Sequence, residues 1–184
     1  MQRIKTLTTA TAQGKAKELL EGAKKAMGKE INIFGAMANA PAALEGLLGL
    51  VGSLSKGKLS APLREQLALV TAGHNSCDYC ASAHTYLAEH AGVAKDECAS
   101  NLEGRSSDKK TQAALTFASQ LVEHRGQVSD TYIKAVRDAG FSDEEVVEIL
   151  AHVALNTFTN YFNEAFKTEI DFPVVTTDKS RKAA

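Results

Sequence analysis

The chain is predicted to be all-α. Three observations carry the prediction. Ala, Leu, Glu and Lys are abundant, no stretch alternates apolar and polar residues as a strand does, and apolar residues recur at helical spacing between recognisable caps and stops. The length of 184 residues points to a single domain spanning 1–184, with a core large enough to fold without cross-links.

Residues 12–27 place Leu19, Leu20, Ala23 and Met27 on one helical face, and Gly28 is a stop. "INIFGAMANAP" (31–41) reads as a short helical or irregular link. Asn39 and Pro41 then suit the start of a helix, "PAALEGLLGLVGSL" (41–54). That helix is apolar nearly all round and is expected to be buried. "SKGKLSAP" (55–62) reads as a polar, mobile loop, with Ser60 capping the next helix and Pro62 in its first turn. "LREQLALVTAGHNS" and "CDYCASAHTYLAEHAG" are two further helices, the second ended by Gly92. A short helix and loop follow in "AKDECASNLEGRSS". Asp108–His124 is amphipathic and stops at Gly126, and Ser129–Ala139 is ended by Gly140. "SDEE" (142–145) is a capping box that opens a long helix to about Lys167. The tail is extended and expected to fray after Val175.

A net charge of −1 without a basic patch argues against a nucleic-acid partner. No apolar run approaches the ~20 residues of a membrane span. The start, "MQRIKTLTTATAQGKAK", lacks the apolar region of an export signal and reads as a native terminus, so a cytoplasmic location is expected. Three cysteines do not make a disulfide framework. In a reducing compartment a C-x-x-C is catalytic or metal-binding rather than structural.

"HNSCDYCASAH" (74–84) concentrates the chemistry. With Asn75 or Ser76 as N-cap, Cys77, Cys80 and His84 fall within about 60° of one another around a helix. A helix N-terminus and an adjacent imidazole both favour a thiolate, the form of cysteine that acts as nucleophile. By residue position alone, Cys77 and Cys80 are equal candidates for it. Glu65, on the preceding apolar helix, is placed to orient His84 or to move protons. Zinc is the competing reading, with Cys77, Cys80 and His84 as ligands and His74 or Cys98 as the fourth. His152, Asn156 and Asn160 recur at four-residue spacing as a polar seam. Together with His74 and Tyr79, His152 and Asn156 are candidates for a substrate pocket. The aromatic group Phe158, Tyr161, Phe162 and Phe166 reads as core or interface.

The string E-x11-C-x-x-C-x-x-x-H, met by Glu65, Cys77, Cys80 and His84, resembles the active-site motif of alkylhydroperoxidase D-like (AhpD-like) proteins of the carboxymuconolactone decarboxylase superfamily. The resemblance is strongest over Asn39–Gly92, within a motif-bearing core of about 39–125. "VALNTFTNYFNEAFKTEIDFP" is similar to the closing segment of many members. The resemblance implies a multi-helix bundle with the C-x-x-C at the N-terminus of a buried helix. It implies an antioxidant dithiol peroxidase that reduces organic hydroperoxides with no cofactor beyond the dithiol itself. Cys80 would attack the peroxide, Cys77 would resolve the sulfenic acid as a disulfide, and His84 and Glu65 would relay protons. A dithiol donor such as a lipoylated protein would restore the thiols, and the protein would assemble as a trimer or hexamer. Thiol–disulfide exchange without peroxidase activity, or a zinc-binding interaction module, are the alternatives. The best-known members carry a second His just before the second cysteine, where this chain has Tyr79. A phenol of pKa ~10 does not shuttle protons as an imidazole does near neutral pH.

Overall fold

The computed structural model describes residues 1–177, which form nine α-helices and no strand. They are α1 (Gly14–Met27), α2 (Asn32–Met37), α3 (Pro41–Leu54), α4 (Ala61–His74), α5 (Asp78–His90), α6 (Lys95–Leu102), α7 (Lys109–Glu123), α8 (Asp130–Asp138) and α9 (Asp143–Phe166). Gly28 ends α1 in the left-handed conformation, with φ 76°. Asp108 caps α7 through the Thr111 amide, and Ser142 and Glu145 close a full capping box on α9.

α4 is the axis of the bundle and packs against α5, α6, α7 and α9. Residues Gln66–Ala72 are buried without interruption, which only a helix covered on every side can be. Leu69 and Ala72 face one apolar cluster with α1, α2, α3 and α5, while Leu67 and Val70 face a second with α7, α8 and α9. α4 crosses α6 so closely at Gly73 that an added Cβ would lie 1.9 Å from the Leu102 carbonyl oxygen.

α3 departs from its expected burial. Only Leu44 and Leu47 are covered, and Leu50 and Val51 are each 40 % exposed. A helix apolar all round has no preferred buried face, and here α1, α2 and α9 cover only one side. The 55–60 loop is pinned rather than mobile: the Glu148 carboxylate accepts the Lys58 and Leu59 amides at 2.9 and 3.1 Å, and Leu59 is buried.

The end of the described chain is a strap laid over the N-terminus of α5. The Tyr79 hydroxyl donates to Asp171 Oδ1 at 2.7 Å and accepts the Ile33 amide at 3.3 Å. Asp171 Oδ2 accepts the Asn32 amide. The Val175 amide donates to Ser82 Oγ at 2.9 Å, and the Thr177 amide and hydroxyl donate to Asp78 Oδ1 at 2.8 Å. The chain is therefore tied down through Thr177, past Val175 where fraying was expected; the rest of the predicted frayed tail lies outside the described residues. Burial, and then the bond to Asp171, push the Tyr79 pKa well above the ordinary phenol value. The residue is a neutral tether at physiological pH.

Tyr79→Phe removes one hydrogen bond to a charged acceptor and should cost about 2 kcal/mol of stability. Hydrogen exchange should quicken across 171–177 while the α4 core amides stay protected. Unchanged exchange in the strap would show that Tyr79 does not hold it.

Candidate active site

The chain turns from α4 into α5 through three residues. Asn75 ends α4, and Ser76 takes a left-handed conformation at φ 53°. The Ser76 amide bonds the Gly73 carbonyl and the Cys77 amide bonds the Ala72 carbonyl, which is a Schellman closure with serine at the position glycine usually holds. Cys77 then serves as N-cap of α5 in place of the expected Asn75 or Ser76. Its Sγ accepts the Cys80 amide at 3.4 Å, at the positive end of the helix. Cys77 therefore lies outside the helical register, yet its thiol stands directly over Cys80.

The hairpin brings α4 and α5 face to face. Glu65 Oε2 lies 2.7 Å from His84 Nδ1, and each side chain is 22 % exposed. Burial acts to lower the His84 pKa, but the bond and charge of Glu65, with the charge on Cys80, outweigh it and the imidazole is shifted upward. Cys80 is lowered to about 6. Its largest support is the Cys77 thiol, which together with the charge on His84 and the side-chain amides of Asn163 and Asn160 overcomes burial. Asn163 Nδ2 donates to Cys80 Sγ at 3.3 Å. Cys77 is pushed upward, by the same thiol–thiolate bond and then by burial. Residue position left the two thiols equivalent, whereas the three-dimensional surroundings separate them.

Cys80 and His84 open into a cavity of about 260 Å³, while Cys77 is fully buried and does not line it. The α9 wall carries His152, Leu155, Asn156, Thr159 and Asn163. α4 contributes Arg64, Glu65 and Ala68, and Tyr79 and Phe172 stand edge to face on the strap side. Of the four residues expected at the pocket, Tyr79, His152 and Asn156 line it. His74 does not; it ends α4 with Nδ1 3.7 Å from Glu123 on α7. Cys98 is buried on α6 with its thiol pushed up to about 11, chiefly by burial. Among the described residues, no three His, Cys, Asp or Glu side chains are arranged to hold a metal ion.

Asn163 escapes sequence reading, because its role depends on α9 lying against α5 across 83 residues of chain. The available signal was the four-residue seam itself: His152, Asn156 and Asn160 continue at helical spacing to Asn163. Asn160 in turn accepts a hydrogen bond from Asn75 in the α4–α5 turn at 2.9 Å, which locks α9 to the hairpin.

The sequence model of the carboxymuconolactone decarboxylase family matches residues 38–123. No curated protein matches the chain significantly. Among solved structures, the chain is similar to an uncharacterized peroxidase-related protein from Ralstonia eutropha JMP134, described as an alkylhydroperoxidase AhpD core. The TM-score is 0.82 at 21% identity, over 92% of each chain. It is similar to the debrominase Bmp8, solved as a cysteine-to-alanine variant with 2,3,4-tribromopyrrole, with a TM-score of 0.78 at 20% identity over 91% of each chain. An uncharacterized peroxidase-related protein from Silicibacter sp. TM1040 gives a TM-score of 0.74 at 19% identity over 83% of each chain. These likenesses define the fold, and no helix of the described residues is long and apolar enough to cross a membrane. Family match and fold agree: residues 38–123 match the carboxymuconolactone decarboxylase family, and the chain has the all-helical fold of the AhpD-like structures.

Proposed function

We propose that the protein is a dithiol peroxidase for organic hydroperoxides. The observation that carries the reading is the pairing of a lowered-pKa, cavity-facing Cys80 with a buried, protonated neighbour thiol at Cys77. The Cys80 thiolate attacks the terminal peroxide oxygen and the O–O bond breaks. Cys80 becomes a sulfenic acid, and the departing alkoxide takes a proton from His84 and leaves as the alcohol. Cys77 then attacks the Cys80 sulfur, the S–O bond breaks, and hydroxide leaves as water with the proton released from Cys77. Glu65 holds His84 Nδ1, so the other ring nitrogen is the one free to deliver and recover protons. An external dithiol reduces the disulfide in two exchange steps. Because Cys77 is buried, the reductant reaches the disulfide through the cavity at Cys80, a route that suits a slender arm such as the lipoyl group of a lipoylated protein.

The likeness to Bmp8 supplies a second electrophile for the same dithiol, a carbon–bromine bond, which two thiols reduce to carbon–hydrogen with release of bromide. Assembly is a further part of the proposal. Leu50 and Val51 on α3, with Val147, Leu150, Phe158 and Tyr161 on α9, leave apolar surface exposed on two helices that touch each other. That face suits contact with further copies, as a trimer or hexamer.

Consumption of cumene hydroperoxide with dihydrolipoamide tests the chemistry. Cys80→Ser should abolish it, and Cys77→Ser should consume a single equivalent and stop at a trappable sulfenic acid. Absence of peroxide turnover alongside thiol-dependent bromide release from 2,3,4-tribromopyrrole would favour the second electrophile. Alkylation of Cys80 should rise with pH around a midpoint of about 6, since the thiolate is the reactive form. The peroxidase rate should rise through the same limb and fall again at higher pH as His84 loses its proton. His84→Gln should move the alkylation midpoint toward the ordinary thiol value; an unmoved midpoint removes His84 from the pair. Light scattering should give a mass of three or six chains, reduced by Val147→Glu with Leu150→Glu. A monomeric wild type would rule out the assembly.

A further inference from the structure

We propose that the cavity carries a carboxylate subsite where Arg64 and His152 line it, so that the hydroperoxides this protein takes are those of small organic acids. The subsite stands on the cavity alone; the substrate class rests also on the peroxidase reading.

α9 forms one wall and carries both Asn163 and His152. Asn163 touches Cys80, and His152 lies eleven positions earlier, or ~16 Å along the helix at ~1.5 Å per residue. His152 is 5 % exposed, and its Nε2 is buried without a hydrogen-bond partner. Arg64, from the first turns of α4, lines the cavity and acts electrostatically on His152. One guanidinium nitrogen, Nη1, is used on the Leu59 carbonyl at 2.7 Å. Among the described residues no carboxylate lies within ion-pair distance of it.

The surrounding acids are committed elsewhere. Glu148, whose charge reaches His152, accepts the Lys58 and Leu59 amides. Glu65, next to Arg64 in sequence and about 100° away around α4, also acts on His152 through its charge, and its carboxylate is held by His84. Arg64 is therefore the cavity's uncommitted full charge, beside a buried imidazole that lacks a partner. The cavity walls also carry the apolar side chains of Leu47, Val51, Ala68 and Leu155. The volume of about 260 Å³ is that of a small molecule, roughly nine waters at ~30 Å³ each. An apolar body with one anionic end fits these walls. A guanidinium fork beside an imidazole suits a carboxylate, which takes paired hydrogen bonds.

The first test uses no peroxide. Octanoate should protect Cys80 from iodoacetamide at a concentration about tenfold lower than octanol does, the ratio that about 1.4 kcal/mol of extra binding gives. Arg64→Gln should bring the two probes level, and Arg64→Lys, which keeps the charge but not the fork, should restore part of the difference. Equal protection by octanoate and octanol in the wild type would overturn the subsite, as would full discrimination in Arg64→Gln. The second test compares a hydroperoxy acid with its methyl ester. The acid should be favoured through KM rather than kcat, and Arg64→Gln should erase the preference. Octanoate protection without turnover of any hydroperoxide would overturn the peroxidase reading and uphold the subsite. Turnover with no preference for the acid would do the reverse.

Discussion

The site depends on one backbone constraint, the three-residue passage from α4 to α5. Ser76 in the left-handed conformation lets the Ser76 and Cys77 amides close the end of α4, and the same Cys77 opens α5. Without that reversal the two helices would not lie face to face, and Glu65 would not meet His84 across nineteen residues of sequence. The turn also offers Asn75 to Asn160, so the position of α9 follows from it. A left-handed serine carries a steric cost that glycine would not, and glycine is the residue that usually marks such a stop. The fold holds the strained residue in place by making both of its flanking amides structural.

Most of the helices were legible because their ends are chemically marked. Gly28, Asp108 and the Ser142–Glu145 box each act locally, so sequence and structure agree on them. The α4–α5 turn was not legible to within a residue, because it has no glycine and its N-cap is a thiol. Burial of α3 was not legible either. A helix apolar on every side says that it seeks cover without saying which side finds it, and only Leu44 and Leu47 do. Glu65 and His84 could be paired from spacing, since consecutive antiparallel helices meet side by side. Asn163 could not, because nothing local couples α9 to the thiol helix.

Tyr79 shows the same limit from another direction. By position it departs from the motif and reads as a missing proton shuttle. Its hydroxyl instead faces away from acid–base chemistry, bonded to Asp171 and the Ile33 amide. Asp78 and Tyr79, the two residues between the cysteines, both grip the strap. The cysteine pair is therefore braced on its outer side by chain from the far end of the sequence. Thiolate stabilisation in turn falls to groups elsewhere: the Cys77 thiol, His84, and amides from α9.

α9 is where structure and chemistry compete most directly. A purely structural polar seam in a helix bundle satisfies its own members, because a buried polar atom left unpaired costs about 1–3 kcal/mol. This seam does so only in part. Asn156 bonds the His152 carbonyl and Asn160 bonds Asn75, yet His152 Nε2, Asn160 Nδ2 and Asn163 Oδ1 remain buried without full partners. Each of those residues borders the Cys80 sulfur or the cavity beyond it. Leucines at the same positions would pack the bundle better and would abolish the thiolate's amide donors. The polar atoms are retained along one stripe of one helix, which is the stripe that faces the thiol. That placement is what a seam serving the candidate site, rather than the scaffold alone, requires.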